Sequence, residues 1–361
     1  MKKIFVLLLA VCLLLCACGG EAEPAETTTQ PVETTTEATT EATTVATEPP
    51  MLYRNPLNGE PMAEPYTGRI VAVVINNLKG ALPHYGVAEA DIFYEIEVEG
   101  DITRCLMIYS DLEGVGSIGP VRSTRTYFNN VALSYDAPLV HCGGSVRGRN
   151  GYADKNSGKI PDWEHLNEQS YGSYFFRDMN RYNNQGYAWE HCLFTNGENL
   201  LKAMEDRGFA TDAQQDFGLQ FADDVKLDGF IAGTVTVKFR NGKTTKFTYD
   251  EATGLYKTEQ YGDTYIDANT GDQVCFKNLL VITTDQSFRK DDEYSRAYYE
   301  LEGEGEGYMA VGGEIVKIKW SRADWDSPFV YTLEDGTPIT LEVGTTYVGV
   351  ICDEKGVVDY Q

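Results

Sequence analysis

The chain has 361 residues, with 30 lysines and arginines against 55 acids and a formal net charge of −25. So acidic a balance excludes nucleic acid as the main partner, and it excludes a broad contact with anionic lipid headgroups. Beyond the N-terminal segment, residues 51–361 are enough for two domains.

Lys2 and Lys3 open the chain, and an apolar run follows from Ile4 to Leu15. That run is too short to span a bilayer and suits the core of a signal peptide over residues 1–17. It ends in Leu15-Cys16-Ala17-Cys18-Gly19. An aliphatic residue, a small residue and then cysteine form a lipoprotein cleavage pattern. Cys18 is therefore the expected lipidation site, where acyl chains such as palmitate hold the protein on the extracytoplasmic face of the cell membrane. Residues 18–50 repeat Glu-Thr-Thr and Glu-Ala-Thr-Thr and hold almost no large apolar residue. They read as a disordered tether, spanning ~30 Å typically and roughly 100 Å when extended.

Residues 51–222 read as a mixed α/β domain. RIVAVVIN (69–76) is a short apolar run that suits a buried central strand. DIFYEIEV (91–98) alternates, turns at Glu99-Gly100-Asp101 and pairs with 102–109 as a hairpin. After Gly114–Pro120 the period lengthens: Val121, Arg125, Phe128, Ala132 and Tyr135 recur at three to four residues. This predicts a helix with Pro120 in its first turn. APLVHC (137–142) predicts a strand running into a flexible Gly-rich loop through Gly151. Thr195-Asn196-Gly197-Glu198 predicts a capping box for a helix that stops at Gly208.

Residues 223–361 read as a mainly antiparallel β domain, so the fold class is α+β. Short alternating runs at 234–240, 246–249, 279–284, 314–320, 329–333, 339–343 and 347–352 are separated by turn signals. Glu302–Gly307 (EGEGEG) reads as a mobile loop. Asp267–Gly271 resembles the start of a calcium loop, but the bidentate glutamate is missing at the required spacing, so a hairpin turn is expected. Cys105, Cys142, Cys192, Cys275 and Cys352 are odd in number and widely spaced, which argues against a disulfide framework or a structural zinc site.

Arginine supplies the sharpest chemical signal. Between Lys79 and Lys155 there is no lysine, yet Arg104, Arg122, Arg125, Arg147 and Arg149 all fall there. Residues 121–150 hold four arginines against one acid, Asp136. Arginine suits planar, bidentate binding of carboxylate or phosphate, and backbone N–H groups beside Ser123 would add donors. The same arginines could instead pair with Glu89, Asp91, Glu95, Glu97, Glu99 and Asp101 just upstream. His141, Cys142 and Ser145 invite a catalytic reading with Gly143 and Gly144. They lack the nucleophile elbow, however, and neighbours on a strand point to opposite faces. The four histidines form no metal-ligand pair, and no cofactor is expected. The rings and amides of 163–189 suit either a sugar-binding groove or ordinary packing.

NPLNGEP (55–61), ADIFYEIEVEGDITR (90–104), GPVRSTR (119–125), YDAPLVHCGGS (135–145) and WSRADWDSPFVY (320–331) together resemble the YerB-type lipoproteins of Gram-positive bacteria. The resemblance spans nearly everything from residue 51 onward. It implies lipid anchoring and a division into two domains of unknown function, and it supplies no activity. A looser likeness is to the LytR–CpsA–Psr glycopolymer transferases, in which arginines hold a lipid pyrophosphate. Asp91, Pro120-Val121-Arg122 and Gly143-Gly144 would correspond, although Ser123 stands where that family has an acid. The expectation is a lipoprotein that binds an anionic envelope polymer, a lipid pyrophosphate or a protein partner. The alternative is a phosphate-dependent transferase or hydrolase of envelope glycopolymers, the one reading that leaves room for Mg²⁺.

Overall fold

A computed structural model describes residues 53–100, 102–153, 159–211, 216–240, 242–288, 294 and 296–361. The signal segment, Cys18 and the tether lie outside the described residues, as does Asp101. Val71–Asn77 (β1), Ile92–Val98 (β2) and Ile102–Tyr109 (β3) form where the apolar runs predict. β2 and β3 are the expected hairpin. Thr126–Leu133 (α1), Leu139–His141 (β4), Val146–Arg149 (α2), His165–Asn167 (β5) and Gly197–Arg207 (α3) follow. The later half supplies Thr234–Lys238 (β6), Thr244–Asp250 (β7), Leu255–Gln260 (β8), Asn278–Thr284 (β9), Gly303–Val311 (β10), Glu314–Arg322 (β11), Val330–Leu333 (β12), Thr346–Cys352 (β13) and Val357–Tyr360 (β14). The class is α+β: a mixed sheet with few helices first, then mainly antiparallel strands.

One sheet of eleven strands runs through both halves. From the edge its order is 230–231, β11, β10, β9, β13, β2, β3, β1, β4 and β5, with β12 also on β11. β13 lies parallel between β9 and β2, so a C-terminal strand sits beside an N-terminal one. Tyr127, Phe128 and Val131 of α1 pack on one face with Ala72, Val74, Tyr94 and Ile96. A second, antiparallel sheet built on β14, β6, β7 and β8 covers the other face. Its Val235, Val237, Phe247 and Tyr256 join Val73, Phe93, Met107 and Tyr347. Every residue of β2 is therefore buried, including the glutamates that alternate with its apolar side chains.

Four local expectations are corrected. The helix begins at Thr126, not Pro120, because residues 120–124 are extended and their backbone groups pair with other strands. Residues 146–149 form one helical turn instead of a loop, with the Ser145 hydroxyl accepting the Gly148 N–H at 3.2 Å. Asn196, rather than Thr195, caps α3 through the Asn199 N–H at 2.8 Å, while Thr195 Oγ1 donates to the Tyr174 carbonyl. Glu302–Gly307 is not a loop: from Gly303 it is the start of β10. A Cβ at Gly305 would lie 2.4 Å from the Trp320 indole nitrogen, so glycine is what lets that strand pass over the ring. Asp267–Gly271 is a turn, as expected, closed by the Gly271 N–H on the Asp267 carbonyl at 2.8 Å.

The two sheets meet at Glu95, whose side chain is fully buried. Its carboxylate accepts from Asn77 Nδ2 at 2.9 Å and Thr103 Oγ1 at 2.5 Å. From the later half it accepts Thr245 Oγ1 at 2.7 Å and Tyr347 OH at 3.0 Å. It also forms an ion pair with the buried Lys243 ammonium. Removing one partner of such a pair leaves a buried charge uncompensated, which costs about 3–5 kcal/mol. Lys243→Met is expected to lower the unfolding free energy by about that amount, read from the midpoint of equilibrium urea denaturation at neutral pH.

Candidate functional site: an arginine cluster at the ends of two parallel strands

β1 and β4 pair in parallel at Ala72–Leu139 and Val73–Val140. Beyond those residues they separate, and residues 120–124 fill the gap. The Asn76 N–H donates to the Pro120 carbonyl at 2.9 Å and the Arg122 N–H to Val74 at 2.8 Å. On the other side the Cys142 N–H donates to Arg122 at 3.0 Å and the Thr124 N–H to Gly143 at 3.1 Å. A Cβ at Gly144 would sit 2.9 Å from the Thr124 carbonyl, so the glycine pair permits this close approach. GPVRSTR is thus an inserted strand at the carboxyl ends of two parallel strands, the usual crevice position in such sheets.

Arg104, on β3 opposite Asn76 and Ile96, reaches this insertion from beneath. It is 5% exposed. Its Nη1 donates to the Ser123 carbonyl at 2.8 Å, and its Nε finds no acceptor. Among the described residues no carboxylate pairs with it. Burial, then the neighbouring charges of Arg125 and Arg122, bring its pKa down to about 9 against the pull of Glu99. Arg125 is also buried. It donates Nη1 to the Thr124 carbonyl at 2.7 Å and grips both oxygens of Glu99 through Nε and Nη2. Burial would raise the Glu99 carboxyl, but Arg125 outweighs it and holds Glu99 below the usual range. Arg296 Nε lies 3.7 Å from the same carboxylate. Arg125 occupies the N-cap of α1 without a side-chain cap bond, and no acid lies in the first turn.

Arg122 is the outward member. Its side chain is a quarter exposed, its Nη2 lies 3.4 Å from half-exposed Glu190, and its Nε has no partner. Arg147 and Arg149 lie on α2, which packs against α1: Asn129 Nδ2 donates to the Gly148 carbonyl at 2.8 Å. A Cβ at Gly148 would come 3.1 Å from Arg125 Cα. The Arg147 guanidinium sits 4.3 Å from the centre of the Tyr152 ring, and Arg149 is exposed. The structure therefore clusters Arg104, Arg122, Ser123 and Arg125 and sets Arg147 and Arg149 on the adjoining turn. Of the described upstream acids, Glu99 takes an arginine of the set.

His141, Cys142 and Ser145 do not converge. His141 Nδ1 donates to the Gly143 carbonyl at 2.8 Å, which leaves Nε2 to accept from His165 Nδ1 at 3.1 Å. The two imidazoles stack beside Trp163, whose ring lies 3.9 Å from that of His165. Burial drives His141 down to about 3 and His165 to about 4. Burial and then Glu168, 3.3 Å from its sulfur, push the Cys142 thiol up to about 12. The Ser145 hydroxyl is spent on its cap. Gly143 receives the Asn167 side chain at its N–H, 2.9 Å away, and has a φ of +65°.

Asp91 stands at the other end of β2. It accepts from Asn58 Nδ2 at 2.5 Å and from the Ser110 N–H at 2.6 Å. This ties NPLNG to the sheet. The register sets Ile92 beside Ile108 and Ile96 beside Arg104, so four residues, or about 13 Å, separate the two ends. Sequence reasoning missed Glu190, Arg296 and Arg177, whose partners here are 68, 197 and 9 residues away in the chain. No local pattern announces pairs of that kind. Among the described residues no group of three or more His, Cys, Asp or Glu is placed to hold a metal ion.

Fold and site define an α+β protein whose earlier and later halves share one sheet, with an arginine cluster where two parallel strands end. Residues 57–210 match the family described as "Protein of unknown function (DUF3048) N-terminal domain", and residues 235–348 match its C-terminal counterpart. The chain belongs to the DUF3048 family. It is 27% identical over 293 residues to the Bacillus subtilis (strain 168) protein described as "Putative lipoprotein YerB", covering 79% of this chain and 82% of that one. The crystal structure of YerB protein from Bacillus subtilis superposes with a TM-score of 0.70 at 26% identity, over 85% of this chain and 99% of the other.

The depressed histidines make stability depend on pH. His84 is fully buried, with Nε2 donating to the Asn76 carbonyl and Nδ1 accepting from Tyr265 OH, both at 2.6 Å. Burial brings it to about 3. His84, His141 and His165 are therefore neutral in the folded state and take up protons on unfolding below the ordinary value of about 6.5. Their contribution is complete above that pH and is lost as the pH falls from about 6.5 toward 4 for His165 and toward 3 for His84 and His141. His84 alone accounts for about 2 kcal/mol between pH 6.5 and 5. Urea midpoints are expected to fall across that interval, and the double variant His141→Asn, His165→Asn to show a shallower fall.

Proposed function

We propose that the protein is a lipid-anchored extracytoplasmic lipoprotein that binds an anionic ligand or envelope partner through Arg104, Arg122 and Arg125. The observation that carries this reading is Arg104: a nearly buried guanidinium with a free Nε and no carboxylate of its own among the described residues. Burying a cation without a counter-ion is costly, and a bound anion would remove that cost. The uncapped start of α1 directs its helix dipole at the same place. Arg122 and Glu99 keep the cluster in reach of solvent.

Anchoring at Cys18 rests on the cleavage pattern and on the lipoprotein description of the Bacillus subtilis relative. No helix among the described residues is long and apolar enough to cross a membrane. In this reading residues 51–222 carry the binding cluster and residues 223–361 brace it. Binding is favoured over glycopolymer transfer because Asp91, the carboxylate that reading would use, lies at the far end of β2 from the arginines.

The test is calorimetric titration of the detergent-solubilised mature chain with inorganic pyrophosphate and with poly(glycerol phosphate). Charge-assisted bonds to arginine contribute about 1.5–3 kcal/mol each. Arg122→Ala is therefore expected to weaken binding at least tenfold, and raised salt to weaken it further. Affinity unchanged by both Arg122→Ala and Arg104→Met, or no binding by the unaltered chain, overturns the proposal.

A further inference from the structure

Beside Arg122 lies a tryptophan that the core does not use. Trp189 opens a short turn, Trp189–His191, and the next residue is Glu190, the ion-pair partner of Arg122. Its side chain is 48% exposed. The Arg177 guanidinium lies 4.3 Å from the Trp189 ring centre, and its Nη1 donates to the Trp189 carbonyl at 3.0 Å. Tyr182 presents its ring to the indole at 5.1 Å and 78°, and is 43% exposed. Arg177 on the indole, Arg122 on the adjoining Glu190 and two partly exposed rings thus share one strip of surface.

Both arginines hold their acids loosely. Arg122 lies 3.4 Å from Glu190, and Arg177 lies 3.8 Å from Glu168. Partly exposed ion pairs of that length contribute little, so either guanidinium can turn to a ligand anion at small cost. An open indole stacks on the apolar face of a sugar ring, and a guanidinium grips phosphate or carboxylate in two-point fashion. Few other ligands use both features at once. We propose that the anionic ligand is a glycan: its sugar ring rests on Trp189 and Tyr182, and its charged group lies between Arg122 and Arg177. This rests on the anion-binding reading above and adds Arg177, Trp189 and Tyr182 to it.

The mature chain in detergent is titrated with poly(glycerol phosphate), with the same polymer carrying N-acetylglucosamine, and with neutral chitotetraose. The sugar-bearing polymer is expected to bind about tenfold more tightly than the bare one and to quench tryptophan fluorescence. Trp189→Ala should erase that preference, and Trp189→Phe should keep most of it. Trp189 is half exposed, so these variants fold. No preference in the unaltered chain, a preference that survives Trp189→Ala, or chitotetraose binding as tightly as the charged polymer overturns the glycan assignment. If bare-polymer binding still weakens on Arg122→Ala, the anion-binding reading stands without it. If that binding is absent or indifferent to Arg122, both fall.

Discussion

A single buried carboxylate sets the frame. Glu95 sits in the middle of β2, on the face that the second sheet covers, and it accepts from five side chains. Thr103 and Tyr347 belong to the strands on either side of it and Asn77 to the strand beyond β3, while Lys243, Thr245 and Tyr347 arrive from 148 to 252 residues away in the chain. Desolvating a carboxylate and an ammonium is expensive, and such a pair persists where both are fully satisfied by further hydrogen bonds. Because the donors lie on both sheets, the packing that satisfies Glu95 also fixes how the second sheet lies on the first. Two halves that read in sequence as successive units are joined through a buried ion pair and one shared sheet.

The same constraint reaches the arginines by strand alternation. Thr103 and Arg104 are neighbours on β3 and face opposite ways. Thr103 donates to Glu95, so Arg104 is directed to the α1 face, under the inserted GPVRSTR segment. The two faces then differ in electrostatic completeness. On one, an acid is fully matched. On the other, three arginines gather around Glu99, and that carboxylate is taken up by Arg125 and approached by Arg296. Arg104 is left with a carbonyl, and Arg122 with a long surface pair. A net acidic chain thus keeps a local excess of guanidinium where backbone N–H groups at a helix start point the same way.

Much of the frame is legible in the sequence. RIVAVVIN and the hairpin at 91–109 become strands because apolar runs and alternation reflect burial directly. The helix at 197–207 follows from its periodicity and its closing glycine. Errors fall where distant backbone takes over. Gly119–Arg125 carries a three-to-four residue spacing that suits a helix, but its N–H and C=O groups are claimed by β1 and residues 142–145. EGEGEG reads as a loop until Trp320 lies across it at Gly305 and the Val281 carbonyl crowds Gly307, which explains why those two residues lack side chains. The upstream acidic run was a fair source of partners for the arginines. Which of its members would serve depended on strand register: Glu95 and Glu97 are carried into the sheet, and Glu99, at the hairpin turn, meets Arg125. Trp189 belongs to the ring-rich stretch 163–189, but Glu190 and Arg177 gather with it near Arg122 through loops that leave no local signal.

The most direct test is nuclear magnetic resonance of the arginine side chains, following Nε–H signals while the mature chain in detergent is titrated with inorganic pyrophosphate. The account predicts that Arg104 and Arg122, whose Nε atoms have no acceptor, shift as the anion binds. Arg322 is the internal control: it is buried like Arg104 but donates its Nε to the Ser327 carbonyl, and it should not move. Stationary Arg104 and Arg122 signals, or equal shifts at all three, would contradict the central claim that this cluster is an anion site.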